Sequence, residues 1–182
     1  MPLQPDLPYA SREQFLDHWD GVRFITLKLL ASFKDQDLAY RATSNTRMVG
    51  ETFFHIGGHQ YFVARGVLLR RWRPEPGEPD ADWPGLQAAT IGSTAALHDW
   101  LSRTQADLRR WMASADAGAL ADLRPDNPWH EGIRGWLLLH HPYQDELHHR
   151  GQLYLMARLL GREPPMVFAE EHPEYWNPRK GK

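Results

Sequence analysis

"HPYQDELHHRGQL", residues 141–153, places ionisable side chains where the flanking "WLLL" and "LYLMARLLG" favour a buried helix. The wider run, from about Ile133 to Leu160, sets Leu137, Leu138, Leu147, Leu153, Leu155, Met156 and Leu159 at helical spacing, and Gly161 supplies a stop. Pro142 has no N–H to donate and is expected to kink this helix or delay its regular start. Inside it His141, Asp145 and His149 are spaced by four and share a face, in line with Leu137 above and Gln152, Leu153 and Met156 below. A buried imidazole or carboxylate without a partner costs several kcal/mol, so this polar ladder is expected to be hydrogen-bonded, exposed or bound to a metal ion.

Three more helical patterns lie upstream. The first begins at Ser11-Arg12-Glu13-Gln14, a capping box, and continues through Phe15, Leu16, Trp19, Val22, Ile25, Leu29 and Leu30 to about Phe33. After the turn-rich "YRATSNT", the second runs from about Thr46 through "RMVGETFFHIGGHQYFVARGVLLRRW", with Val49, Phe53, Ile56, Val63 and Val67 as its stripe. The third spans about Gly92 to Ser114, with Leu97, Trp100, Leu101, Leu108, Trp111 and Met112. "RPEPGEPDADWPG" and "DAGALADLRPDNPWHEG" read as long loops, residues 1–10 as an extended lead-in, and residues 162–182 as an irregular tail. With no period-two strand run, the pattern predicts an all-α chain folded as one four-helix bundle domain over residues 1–182.

Composition narrows the function classes. A length of 182 residues suits one domain, and 42% hydrophobic with 24% charged residues is ordinary for a globular protein. The net charge of −2 offers no basic field for nucleic acid or an anionic membrane. No basic-then-apolar leader and no run of about 18 apolar residues occurs, which predicts a cytoplasmic protein. The chain has no cysteine, so it has no thiolate nucleophile of its own, and any metal must be held by His and carboxylate.

His55 and His59, also four apart, lie on the second helix, so imidazoles from one helix and a carboxylate from another can meet. Neutral imidazole binds zinc, nickel or iron at about 2.0 to 2.2 Å, and three protein ligands leave coordination open for water or substrate. Among ten histidines some such pairs arise by chance, so an isolated pair spaced by four is weak evidence of a metal. His18, His98, His130, His140, His148 and His172 read as exposed or locally hydrogen-bonded, and Gly57-Gly58 as a point of close helix approach.

The pairing of "RMVGETFFHIGGHQYF" with "WLLLHHPYQDELHHRGQLYLMARLLG" resembles the DinB/YfiT-like superfamily of metalloenzymes. His55-Ile56 after "RMVGE" and His149-Arg150-Gly151-Gln152 carry the resemblance, which spans about Ser11 to Gly161. It implies a bundle in up-up-down-down order, often dimeric, with a divalent ion (zinc, nickel, iron or manganese) held by one His of the second helix and two of the fourth. Carried over by position, the ligands are His55, Asp145 and His149, with His59 and His141 as alternates. Asp145 departs from the usual histidine triad. The resemblance implies a small-molecule substrate and an enzyme that activates a low-molecular-weight thiol or water, as a transferase or hydrolase; the competing reading is a non-catalytic dimeric scaffold or ligand-binding protein whose metal site is degenerate. Glu51, Arg150 and Gln152 are the candidates for supporting the ligands or pairing with substrate.

Overall fold

The computed structural model describes residues 11–116, 118–123, 126–129, 132–169 and 172. The lead-in at residues 1–10, His130 and most of the tail beyond Ala169 lie outside them. Among the described residues there are six α-helices and no strand: α1 Arg12–Leu30, α2 Val49–Leu68, α3 Trp83–Thr90, α4 Thr94–Ser114, α5 Gly118–Ala121 and α6 Gly135–Leu159. The four long helices, α1, α2, α4 and α6, form the expected bundle.

Each long helix starts or stops for a local reason. The Ser11 hydroxyl accepts from the Gln14 N–H at 3.1 Å and begins α1. At α2 the Glu51 carboxylate accepts from the Met48 N–H at 2.8 Å, which places the helix start three residues later than the sequence pattern suggests. At the end of α6 Gly161 takes a left-handed conformation, and the Gly161 and Arg162 N–H groups reach back to the carbonyls of Arg158 and Ala157. Pro142 lies inside α6 and does not divide it. Its missing N–H would have bonded the carbonyl four residues back, that of Leu138.

Side-chain contacts fix helix directions. Phe15 stacks near His140 and Arg150 reaches the Val22 carbonyl, so α1 and α6 run parallel. Arg12 bonds the carbonyl of Ala115, while the Thr94 N–H bonds Asp35 just beyond α1, so α4 runs against α1. Phe54 packs on Trp100 and Tyr61 on Trp111, so α2 runs with α4. The order is therefore up-down-down-up, which corrects the up-up-down-down order implied by resemblance. Because α2 and α4 point the same way, the chain between them must climb back along the bundle. α3 forms part of that return, in a segment expected to be plain loop. Asp82 caps α3 by accepting from the Gly85 N–H at 3.1 Å. The second expected loop likewise holds the short α5.

The core is built from Trp19, Ile25, Leu29, Phe53, Ile56, Leu97, Leu101, Leu108, Leu138 and Leu153, each almost wholly buried. On α6 the buried stripe is Leu138, Pro142, Glu146, His149, Leu153 and Met156. Leu137, Leu147, Leu155 and Leu159, which the sequence pattern counts with the core, are exposed. The apolar spacing tolerates either face of this helix, and Glu146 decides between them. Its Oε1 accepts from Arg23 Nε at 2.8 Å and Thr26 Oγ1 at 2.7 Å; its Oε2 accepts from Trp19 Nε1 at 2.9 Å and Arg23 Nη2 at 2.8 Å. Arg23 also donates to the Leu101 carbonyl, Thr104 and Gln60, and Gln60 donates to Gln105. All four long helices thus meet in one buried polar network.

The glycine pair in α2 has a packing cause. A Cβ on Gly57 would lie 2.4 Å from Trp100 Nε1, and one on Gly58 would lie 2.4 Å from the Trp83 ring. Each glycine costs about 1 kcal/mol in a helix relative to alanine. That cost accommodates two indoles laid against the α2 backbone.

Candidate metal centre

α2 and α6 are antiparallel neighbours, and the polar residues on their facing sides meet near the middle of both helices. Asp145 sits between them. Its Oδ2 lies 3.1 Å from His55 Nε2 and 2.9 Å from His59 Nδ1, and its Oδ1 lies 3.4 Å from His149 Nε2. The His55 and His149 rings stand edge to face at 4.9 Å. One nitrogen from each of His55 and His59 and one Asp145 oxygen all lie within 4.8 Å of one another. Burial pushes the Asp145 carboxyl up, but hydrogen bonds from His149, His55 and His59 outweigh it and hold the group well below the usual carboxylate range.

The sequence-derived candidates divide clearly. His55, Asp145 and His149 come together, and His59 joins Asp145 more closely than His149 does. His141 lines the adjoining cavity with His55 and His59. Gln152 supports His149: its Oε1 lies 2.8 Å from His149 Nδ1, while its Nε2 lies 2.9 Å from His148 Nε2. An amide oxygen only accepts, so this contact puts a proton on His149 Nδ1 and holds Nε2 toward Asp145 and Arg47. Arg150 turns away to α1, where its Nη1 donates to the Val22 carbonyl at 3.3 Å. Glu51 is occupied with capping α2 and with Arg41, 3.3 Å away.

Arg47 is a residue that the sequence reading missed. Its Nη1 lies 3.3 Å from His149 Nε2, close to where an ion on that nitrogen would bind. Its only sequence signal was its place in "RMVGE", beside the helix start. The cavity was missed as well. It encloses about 560 Å³ and is lined by His55, Gly58, His59, Phe62, Asp80, Trp83, Trp129 and His141. Most of its non-histidine wall comes from the return segment and the loop after α5, which carry no periodic pattern.

Chemically, the cluster offers two or three imidazole nitrogens and one carboxylate oxygen, a borderline set suited to zinc, iron, nickel or manganese. The donors are already near enough to share an ion, and the cavity beside them leaves room for a further ligand. The donor set therefore fits a divalent metal.

The sequence profile of the DinB family matches residues 9–179, nearly the whole chain. This chain belongs to the DinB family. Its fold is similar to that of a DinB-like protein from Bacillus cereus, at 19% identity and a TM-score of 0.68, covering 87% of this chain and 99% of that one. A DinB-like protein from Bacillus subtilis is also similar, at 16% identity and a TM-score of 0.65, covering 85% of this chain and 97% of the other. At these identities the likeness concerns the bundle. No curated protein matches the chain. Among the described residues of this DinB-family protein, no helix is long and apolar enough to cross a membrane.

Proposed function

We propose that this DinB-family protein is a divalent-metal-dependent enzyme acting on a small molecule, with a transferase or hydrolase reaction that employs an external thiol or water. The observation that supports it most is the convergence of His55, His59 and His149 on one carboxylate beside an open cavity. His55, His59 and Asp145 would hold the ion, and His149 would join them once Arg47 withdraws from its Nε2. A bound divalent ion would lower the pKa of a coordinated thiol or water and so supply a nucleophile at neutral pH. Asp145 reduces the positive charge of the site, and Gln152 keeps His149 Nε2 pointed inward.

One observation favours a second reading. Arg47 and the imidazole–carboxylate contacts already satisfy the cluster, as a scaffold without metal would need. The readings part on metal content, measured by plasma mass spectrometry on protein purified without a histidine tag. Near-stoichiometric metal that disappears in Asp145→Ala and His55→Ala supports the enzyme, and makes thiol-transfer and hydrolysis assays the next step. Protein that stays empty after incubation with zinc, nickel, iron and manganese salts supports the scaffold.

For assembly, we propose a homodimer through the outward face of α6, where Leu147, Leu155 and Leu159 repeat at helical spacing and are exposed.

A further inference from the structure

The cavity beside the cluster has a composition of its own. Its volume of about 560 Å³ lies in the range of small-molecule sites. Three aromatic side chains wall it: Phe62, Trp83 and Trp129. Trp83 is set by the close approach that Gly58 permits and by Phe54, whose ring centroid lies 4.9 Å away. Trp129 is held edge-on by Phe62 at 5.4 Å and by Trp72 at 5.6 Å, yet remains 45% exposed. Trp72 is in turn tied by its Nε1 to Asp126 at 3.0 Å. A large indole is therefore fixed at the rim of a cavity with much of its surface still wet.

Charge narrows the occupant further. Among the described residues lining the cavity there is no lysine or arginine to receive a phosphate, sulfonate or second carboxylate. Apart from the histidines, the one ionisable group among the described lining residues is Asp80. Its oxygens are taken by Arg65 Nη1 at 2.7 and 2.8 Å, and both residues are buried, so it contributes little net field. A cationic ligand would meet the repulsion of the metal ion. Aromatic walls, a neutralised floor and a ligating corner suit an uncharged molecule with a flat apolar body and one donor group.

We infer that the cavity takes a small uncharged aryl compound, its ring against Trp129 and Trp83 and its oxygen or nitrogen donor turned to the His55–His59–Asp145 corner. The donor end rests on the metal reading above; the aromatic end does not. The test uses three probes: benzohydroxamate, acetohydroxamate and benzamide. The first two share a chelating head and differ in the ring, whereas benzamide keeps the ring without a strong chelating group. Affinities are measured by calorimetry and tryptophan quenching on the metal-loaded protein, on protein stripped with a chelator, and on Trp129→Ala and Trp129→Phe variants of each.

Burying a phenyl ring is expected to make benzohydroxamate bind the loaded protein at least about tenfold more tightly than acetohydroxamate. Trp129→Ala should erase most of that ratio and Trp129→Phe should keep most of it. Benzamide should quench the stripped protein's fluorescence and lose affinity in Trp129→Ala. Equal affinities for the two hydroxamates, or a ratio unchanged in Trp129→Ala, would overturn the inference even where metal binds. If no metal binds but benzamide retains its dependence on Trp129, the aryl site stands and the metal reading falls.

Discussion

Asp145 and Glu146 are adjacent carboxylates on one helix, and the fold treats them in opposite ways. Glu146 faces α1, is fully buried, and has both oxygens engaged by Arg23, Thr26 and Trp19. Asp145 faces α2 at the edge of a cavity and is engaged by three imidazoles. Arginine is a permanent cation with planar donors, so the Glu146 charge is neutralised once and for all. Imidazole can give up its proton and present a lone pair, so the Asp145 cluster can exchange protons for a metal ion. One helical step separates a structural ion pair from a reactive one.

The largest effects should come from breaking the closed member of the pair. Arg23→Ala leaves Glu146 as an uncompensated buried charge, so a loss of about 3–5 kcal/mol in stability is expected, read by denaturant unfolding. Burial raises the Glu146 carboxyl, but the Arg23 charge and the hydrogen bonds from Arg23, Thr26 and Trp19 prevail and leave it lowered. The sign follows from a lowered folded value. The network's stabilisation is complete above the unfolded carboxylate value of about 4.3, and is lost as pH falls through the lower folded one. Unfolding curves below about pH 4 should show Glu146→Gln losing its disadvantage relative to the unmodified protein.

Substitution of the open member should show the reverse profile. Asp145→Ala is expected to change stability by no more than about 1 kcal/mol, since the group is partly solvated, while abolishing metal retention in a dialysis assay. A drop in stability as large as that of Arg23→Ala would erase the distinction. Metal should be released progressively on acidification, because imidazole ligates only when neutral. Arg47→Ala should act in the other direction and tighten metal binding several-fold. It frees His149 Nε2 and removes a positive charge from beside the ion. The smallest effect concerns assembly: Leu155→Glu should shift sedimentation toward monomer without altering metal content.

Helix periods, caps and stop signals made the four long helices legible, and helical spacing brought out His55, His59, Asp145 and His149. The same rules misassigned the α6 leucines. Leu137, Leu147, Leu155 and Leu159 satisfy a helical stripe as well as the buried set does, and only the partner of Glu146, more than a hundred residues away on α1, selects the face. Helix direction was not readable, because it depends on where the α2–α4 connection travels. Arg47, Trp83 and Trp129 lie in segments without a long helical period, where a residue's neighbours are set by tertiary packing alone.

The return segment from α2 to α4 carries Asp80 and Trp83 to the cavity without contributing a long helix to the bundle. The histidines and the network around Glu146 sit on the rigid helices, whereas this part of the wall is borne by the connection. Selectivity is thereby separable from chemistry: replacing the connection could retune which molecule fits while the ligating corner and the buried polar network stay as they are, and the bundle becomes a chassis with an interchangeable front.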